Sequence, residues 1–284
     1  MALAMPRLRA RLHLPAAQAH DSEARSRTMS KLEIHQFPCL DDNYGVLVHD
    51  PDTGSTASID APEVDAVRAA LAEKGWRLTH ILVTHHHHDH TGGVLELKGE
   101  TGCTVIGPAK EADRIPGLDR GVGEGDTFAL GSAQVHVIDT PGHTAGHVSY
   151  WIPAGATAFV GDTMFAMGCG RVFEGTYETM WASLSKLKRL PAATRIYCGH
   201  EYTAQNGRFG LAIEPGNAAL EARMSEVEAL RAAGKPTLPT RLDRELETNV
   251  FLRTRSPEIR SRLGLATAED WQVFAALREK KNKA

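Results

Sequence analysis

Residues 84–93 read Thr84-His85-His86-His87-His88-Asp89-His90-Thr91-Gly92-Gly93 and follow directly on the apolar run Ile81-Leu82-Val83. A short β-branched run of that kind, bounded by polar residues, predicts a strand covered on both faces. Side chains alternate along an extended backbone, so His85 and His87 project to one side and can hold a single cation between them. As the chain turns toward the glycines, Asp89 and His90 face a neighbouring position. Four consecutive histidines leave the register open, and the Asp89-His90 pair closes it: an H-x-H-x-D-H arrangement fits only His85, His87, Asp89 and His90. His86 and His88 then point away, into packing or hydrogen bonds that support the ligands. Imidazole nitrogen with carboxylate oxygen suits zinc, with iron or manganese as substitutes.

Three later sites supply further donors. Pro141-Gly142-His143-Thr144 follows a strand ending near Asp139, Gly161-Asp162-Thr163 follows the apolar run Ala156 to Val160, and Cys198-Gly199-His200 follows Ile196-Tyr197. Each is a strand end followed by a small residue and a ligand type, so all three can gather at one edge of a sheet structure. Any one of them alone reads as a turn or a core histidine.

Working outward, strand-like segments are expected at 32–37, 44–49, 55–60, 80–84, 103–106, 134–139, 147–152, 157–160 and 195–198. A helix is expected after Ile59, with Pro62 in its first turn, Val64, Val67 and Leu71 on one face and Gly75 at its end. Another lies near 178–189, with Met180, Leu184 and Leu187 sharing a face. Beyond about residue 200 the pattern turns helical: Asn217 caps a helix through Leu220, Met224 and Val227 that stops before Gly234 and Pro236, and segments 241–247, 257–263 and 267–281 follow. Mixed strands and helices give an α/β chain of two sheets with helices outside. Residues 1–28, rich in arginine and without an apolar stretch, are expected to be a disordered extension, either an upstream start or a targeting segment.

The totals exclude several function classes. The chain has 284 residues, a formal net charge of −3 and 14 histidines. With no basic field, nucleic acid is not an expected partner. No apolar run approaches the roughly 20 residues of a bilayer crossing, so no membrane partner is expected. Cys39, Cys103, Cys169 and Cys198 form no C-x-x-C pair, which points to free thiols and a cytoplasmic protein. A monomer is the simplest expectation. No Ser-His-Asp arrangement or G-x-S-x-G elbow offers an alternative nucleophile, and Cys169 between two glycines reads as a packed structural thiol.

The motifs THHHHDHTGG, PGHTAGH, GDTMF and CGHEYT, in that order, resemble the metallo-β-lactamase superfamily and, within it, the glyoxalase II (hydroxyacylglutathione hydrolase) family, over about residues 29–284. The resemblance implies an αβ/βα metallo-β-lactamase-like sandwich, residues 29–199, with a C-terminal helical domain, residues 200–284, that contributes to substrate binding. It implies two zinc ions per chain: one held by His85, His87, His143 and Asp162, the other by Asp89, His90, Asp162 and His200, with Asp162 bridging. His147 is then not a ligand. It further implies hydrolysis of S-(2-hydroxyacyl)glutathione, S-lactoylglutathione above all, to glutathione and a 2-hydroxy acid, the second step of methylglyoxal degradation. The attacking group is a hydroxide shared by the metals, and Asp89 and Asp162 serve it as the catalytic pair. The glutathione contacts carried over are Arg171 and Phe173 in GCGRVFEG, Tyr202 and Asn206 in HEYTAQN, and Arg253 in NVFLRTR. Two positions depart from relatives: Phe173 replaces a tyrosine found in some, and no lysine follows Arg253, for which Arg255 is the nearest substitute. The rivals within the superfamily are a mononuclear iron persulfide dioxygenase, which needs only one metal, and another metallo-β-lactamase-fold hydrolase; from a different class, the rival is a metal-stabilised binding protein without turnover.

Overall fold

The turn residues that punctuate the chain after Leu32 give two six-stranded sheets, seen in a computed structural model that describes residues 32–284. The extension expected at residues 1–28 lies outside the described residues. The first sheet runs in chain order: β1 (Glu33–Cys39), β2 (Asn43–Asp50), β3 (Ser55–Ile59), β4 (His80–Leu82), β5 (Thr104–Pro108) and β6 (Arg120–Val122). Its first three strands are antiparallel, and β3 to β6 are parallel. The parallel connections carry helices α1 (Val64–Lys74), the single turn α2 (His88–Thr91) and α3 (Val94–Thr101).

The second sheet begins with β7 (Thr127–Leu130), β8 (Ala133–Asp139), β9 (Val148–Ile152) and β10 (Thr157–Phe159). A small hairpin follows, β11 (Met164–Phe165) with β12 (Gly168–Cys169), then α4 (Tyr177–Leu187) and β13 (Arg195–Tyr197), parallel to β10. The remaining chain is α5 (Thr203–Ile213), α6 (Ala218–Ala232), β14 (Thr240–Arg241), α7 (Leu242–Thr248), α8 (Pro257–Leu263) and α9 (Asp270–Asn282). This helical tail lends β14 to the second sheet, beside β13.

Binary patterning decides the layers. Val46, Val48, Ile59, Leu82 and Ile106 of the first sheet meet Val135, Val137, Val148, Tyr150 and Phe159 of the second in one apolar cluster. On its other face the first sheet offers Leu47, Ile81 and Val105 to Val67 and Leu71 of α1 and Leu97 of α3. The second sheet turns Ala158 and Ile196 toward Met180, Leu184 and Leu187 of α4 and toward the helical tail. The result is the expected αβ/βα sandwich.

Two local expectations need correction. Pro62 does not sit in the first turn of α1, which starts at Val64 with Glu63 as its N-cap, although Gly75 ends it in the left-handed conformation, φ 68°. The apolar strand stops at Leu82 and not at Thr84. There the Thr84 amide and hydroxyl donate to the Asp60 carboxylate (2.7 and 2.9 Å), which bends the chain out of the sheet and starts the histidine loop.

Candidate functional site

The C-terminal ends of β4, β10 and β13 and the turn between β8 and β9 open on the same edge of the sandwich, and each delivers part of one cluster. His85, His87 and His143 form a group whose ring nitrogens lie within 4.8 Å of one another, as do those of His85 and His90 with an Asp162 oxygen, and those of His90 and His200 with an Asp89 oxygen. Asp162 connects them: Oδ2 is 3.4 Å from His143 Nε2 and 3.3 Å from His200 Nε2, and Oδ1 is 3.4 Å from His90 Nε2. All seven expected ligand residues are therefore brought together. His86 and His88 stand outside the cluster, His88 exposed and His86 against Glu111 at 2.8 Å.

Three of the imidazoles are aimed from behind. His90 Nδ1 meets Asp60 at 2.8 Å, His200 Nδ1 meets Asp42 at 2.8 Å, and His143 Nδ1 donates to the Arg171 carbonyl at 2.9 Å, so the Nε2 atoms of all three face the cluster. Asn43 donates to both the carbonyl and a carboxylate oxygen of Asp89. His147 accepts the Asp162 amide hydrogen on Nε2 and so leaves Nδ1 to the Thr140 hydroxyl, which makes it a support for Asp162. This outer layer fixes ring orientation and tautomer. Asp42, Asn43 and Asp60 are not among the residues the sequence singles out. Asp60, buried at a strand end with φ 57°, is marked out only by the fold.

Electrostatics divide the cluster into two halves. Burial, reinforced by neighbouring rings, lowers the pKa of His85 and His87, and burial also lowers that of His143, so these are neutral imidazoles ready to donate lone pairs. At the other half burial, the largest single influence, opposes charge on His90 and His200, but the surrounding carboxylates together outweigh it, Asp162 foremost. Asp60 adds to the effect at His90, and Asp89 and Asp42 add to it at His200, pushing the pKa values up to about 8 and about 11. The same histidines hold the Asp89 and Asp162 carboxyls far below the usual carboxylate range despite burial. A fit for cations follows from two further atoms. His90 Nε2 and Asp162 Oδ1 are buried and have no hydrogen-bond partner, an arrangement that divalent cations between them would satisfy.

The cluster forms the floor of a cavity of about 710 Å³ lined by Phe165, Cys169, Arg171, Phe173, Tyr202, Asn206, Arg278 and Lys281, among others. Phe173, 60% exposed, overhangs the rings of His87 and His143, and Tyr202 stacks on His200 with 4.8 Å between centroids. Arg171, Phe173, Tyr202 and Asn206, the expected glutathione contacts, all line this cavity. Arg253 does not line the cavity: its guanidinium holds Glu214 through two 2.8 Å bonds. Arg255, exposed, is likewise taken by Asp270. We expect Arg253→Ala to leave KM for a glutathione thioester within about twofold while destabilising the fold by about 1–3 kcal/mol, because buried Glu214 loses its charged partner; parallel kinetics and thermal unfolding would check both.

Among the cations that line the cavity, Arg278 and Lys281 belong to α9. Arg278 is 4% exposed, donates to the Cys169 carbonyl (2.8 Å) and Asn282 Oδ1 (3.1 Å), and lies over the Phe251 ring, with no carboxylate partner among the described residues. Burial, then Arg278, Arg208 and Arg171 nearby, lower the pKa of Lys281. A buried guanidinium facing neutral acceptors beside a crowded lysine is a site short of an anion. The signal was in the sequence: Phe274, Leu277, Arg278 and Lys281 repeat at i, i+3, i+4 and i+7, so two cations continue the apolar face of a helix.

Comparison with known proteins agrees with this geometry. Residues 52–200 match the model of the metallo-beta-lactamase superfamily, and residues 201–284 match that of the hydroxyacylglutathione hydrolase C-terminus. A hydroxyacylglutathione hydrolase of Methylococcus capsulatus is 54% identical over 251 residues, 88% of this chain and 98% of its own. The chain belongs to the hydroxyacylglutathione hydrolase family. Among solved structures, ETHE1 from Myxococcus xanthus superposes with a TM-score of 0.61 at 25% identity, covering 88% of this chain and 98% of its own. TTHA1623 in a di-iron-bound form gives 0.51 at 28% identity, covering 59% of this chain and 91% of its own. The match over residues 201–284 takes in the helical tail, and α9 of that tail is the element that brings Arg278 and Lys281 to the cavity.

Proposed function

We propose that this chain hydrolyses S-(2-hydroxyacyl)glutathione, S-lactoylglutathione above all, to glutathione and a 2-hydroxy acid, as an enzyme of methylglyoxal degradation. The observation that carries the reading is the meeting, in one cavity, of a seven-residue histidine–aspartate floor with a wall that carries Arg171, Arg278 and Lys281. Glutathione has two carboxylates. Arg278 and Lys281, with Arg171 at the mouth, are the groups that bind them, guanidinium engaging carboxylate bidentately.

His85, His87, His143 and Asp162 would hold one cation, and Asp89, His90, Asp162 and His200 a second. The nitrogen and oxygen donors suit zinc, with iron or manganese as substitutes. Bound there, divalent cations supply an acidified water and polarise a carbonyl, the services that a catalytic triad performs elsewhere. Asp162, reaching both groups, and Asp89, oriented by Asn43, fix the direction from which water meets the thioester carbon. Oxygen–carbon bond formation is followed by carbon–sulfur cleavage. The thiolate leaves without a dedicated general acid because a thiol pKa near 8.5 makes it a good leaving group. Phe173 covers His87 and His143 and limits water at the reacting carbon.

The complete second group, Asp89, His90 and His200, favours two cations over the single iron of a dioxygenase. We place residues 200–284 as the substrate-binding part, and the enzyme in the cytoplasm; no helix among the described residues is long and apolar enough to cross a membrane, and all four cysteines are free and buried. The test is release of free thiol from S-lactoylglutathione by the purified protein. Turnover lost on chelation and regained with zinc is expected, and absence of turnover in the metal-loaded protein overturns the reading.

A further inference from the structure

The NVFLRTR motif loses its expected role once Arg253 is seen to hold Glu214, yet its first residue is fully buried beside the hairpin β11–β12. Asn249 Nδ2 donates to the Gly168 carbonyl at 2.9 Å, to the Phe165 carbonyl at 3.3 Å and to Glu245 Oε2 at 3.0 Å. Glu245 Oε2 also accepts the Met167 amide hydrogen at 2.8 Å, and Asn206 Nδ2 donates to the Ala166 carbonyl at 3.2 Å. Four consecutive residues of the hairpin, Phe165 to Gly168, therefore have a backbone polar group satisfied by a side chain of the helical tail. Buried backbone groups require partners, so these three side chains dictate the shape of the turn, including the left-handed Met167 at φ 54°. Glu245 is itself held by Arg223 and by the Thr240 hydroxyl, all of them buried.

The hairpin touches the site at both ends. It starts two residues after Asp162 and leads through Gly170 to Arg171, whose carbonyl orients His143. A Cβ on Gly170 would overlap the Asp162 carbonyl oxygen, so the two ends of this strip lie against each other. Between them Phe165 packs edge-on to His200 and Tyr202, and Cys169 presents its carbonyl to Arg278. A shift of the turn moves the bridging aspartate, the aim of His143 and the seat of Arg278 together.

We propose that Asn249 and Glu245 are positioning residues, through which the helical tail sets both the cation cluster and the glutathione end of the cavity; this rests on the thioesterase reading above for the identity of the ligand. Asn249→Asp keeps the shape and turns the donor of three bonds into an acceptor, and Asn249→Ala removes it. Val227→Ala, a buried change in α6 outside the hydrogen bonds just described, controls for general loss of stability. With thermal unfolding recorded for all, binding of the non-hydrolysable S-methylglutathione and the rate at which zinc-loaded protein loses metal to a chelator are measured.

Both Asn249 variants are expected to bind about tenfold more weakly and to lose metal about tenfold faster, the scale at which groups supporting metal ligands act, while Val227→Ala matches the unaltered protein on both. Asn249 variants within twofold on both measurements, or a Val227→Ala change as large, overturn the proposal. If the unaltered protein neither hydrolyses the thioester nor binds the analogue, the thioesterase reading falls and metal loss alone decides this one, by the same tenfold and twofold limits.

Discussion

Asp162→Asn should reduce kcat/KM for S-lactoylglutathione by at least about a thousandfold and lower the metal content of the purified protein, with the circular dichroism spectrum unchanged. The size follows from position. Asp162 lies within 3.4 Å of ligand nitrogens in both halves of the cluster, through His143 Nε2, His90 Nε2 and His200 Nε2. An amide of the same shape replaces an anion with a neutral group and turns an N–H donor toward nitrogens that must themselves present lone pairs. Loss of a cation that polarises the carbonyl and acidifies water removes several kcal/mol of transition-state stabilisation, and about 4 kcal/mol is a factor of a thousand. The substitution leaves the backbone in place, since the Asp162 amide keeps its bond to His147 Nε2 at 3.1 Å. Kinetics with metal analysis check the result; a full metal complement with kcat/KM within tenfold would remove Asp162 from the centre.

Arg278→Met should raise KM by about two orders of magnitude and lower kcat by much less. Methionine preserves the apolar stem that lies on Phe251 but removes the charge. Deleting one partner of a desolvated charge pair costs about 2–5 kcal/mol, and roughly 2.7 kcal/mol is a hundredfold. The interaction is remote from the reacting carbon, so it is made with substrate and transition state alike and appears mainly in KM. Steady-state kinetics would show it. A KM within threefold of the unaltered enzyme would mean that the glutathione carboxylates are bound elsewhere.

How far this site was legible depended on whether chemistry or packing chose each residue. The ligands were readable because metal binding demands particular residue types at strand ends, and the Asp89-His90 pair resolved the register of the histidine run. The layer behind them was not. Asp42, Asn43 and Asp60 are ordinary turn and strand-end residues until the fold sets them against His200, Asp89 and His90. The same distinction applies to the arginines: Arg253 is answered by Glu214 from 39 residues away, whereas Arg278 has no acid to answer it among the described residues, and only three dimensions separate the two.

Among the elements, long patterned segments such as α4, α6 and α8 were readable near their observed limits. Helix α5 was not, because Gly207 and Gly210 depress its helix propensity. They are there for packing: a Cβ on either would press into Met224 or Leu220 of α6. The two-residue strands β11, β12 and β14 are too short to carry a period and are fixed by their partners, β14 by β13 and the hairpin by the helical tail.

Metal stoichiometry against activity tests the central claim most directly. Apoprotein prepared by chelation and titrated with zinc should regain thioesterase activity in step with metal bound and reach a plateau at two ions per chain. Full activity in the metal-free protein, or binding that saturates with no ion retained at the His85–His90 loop, would contradict it.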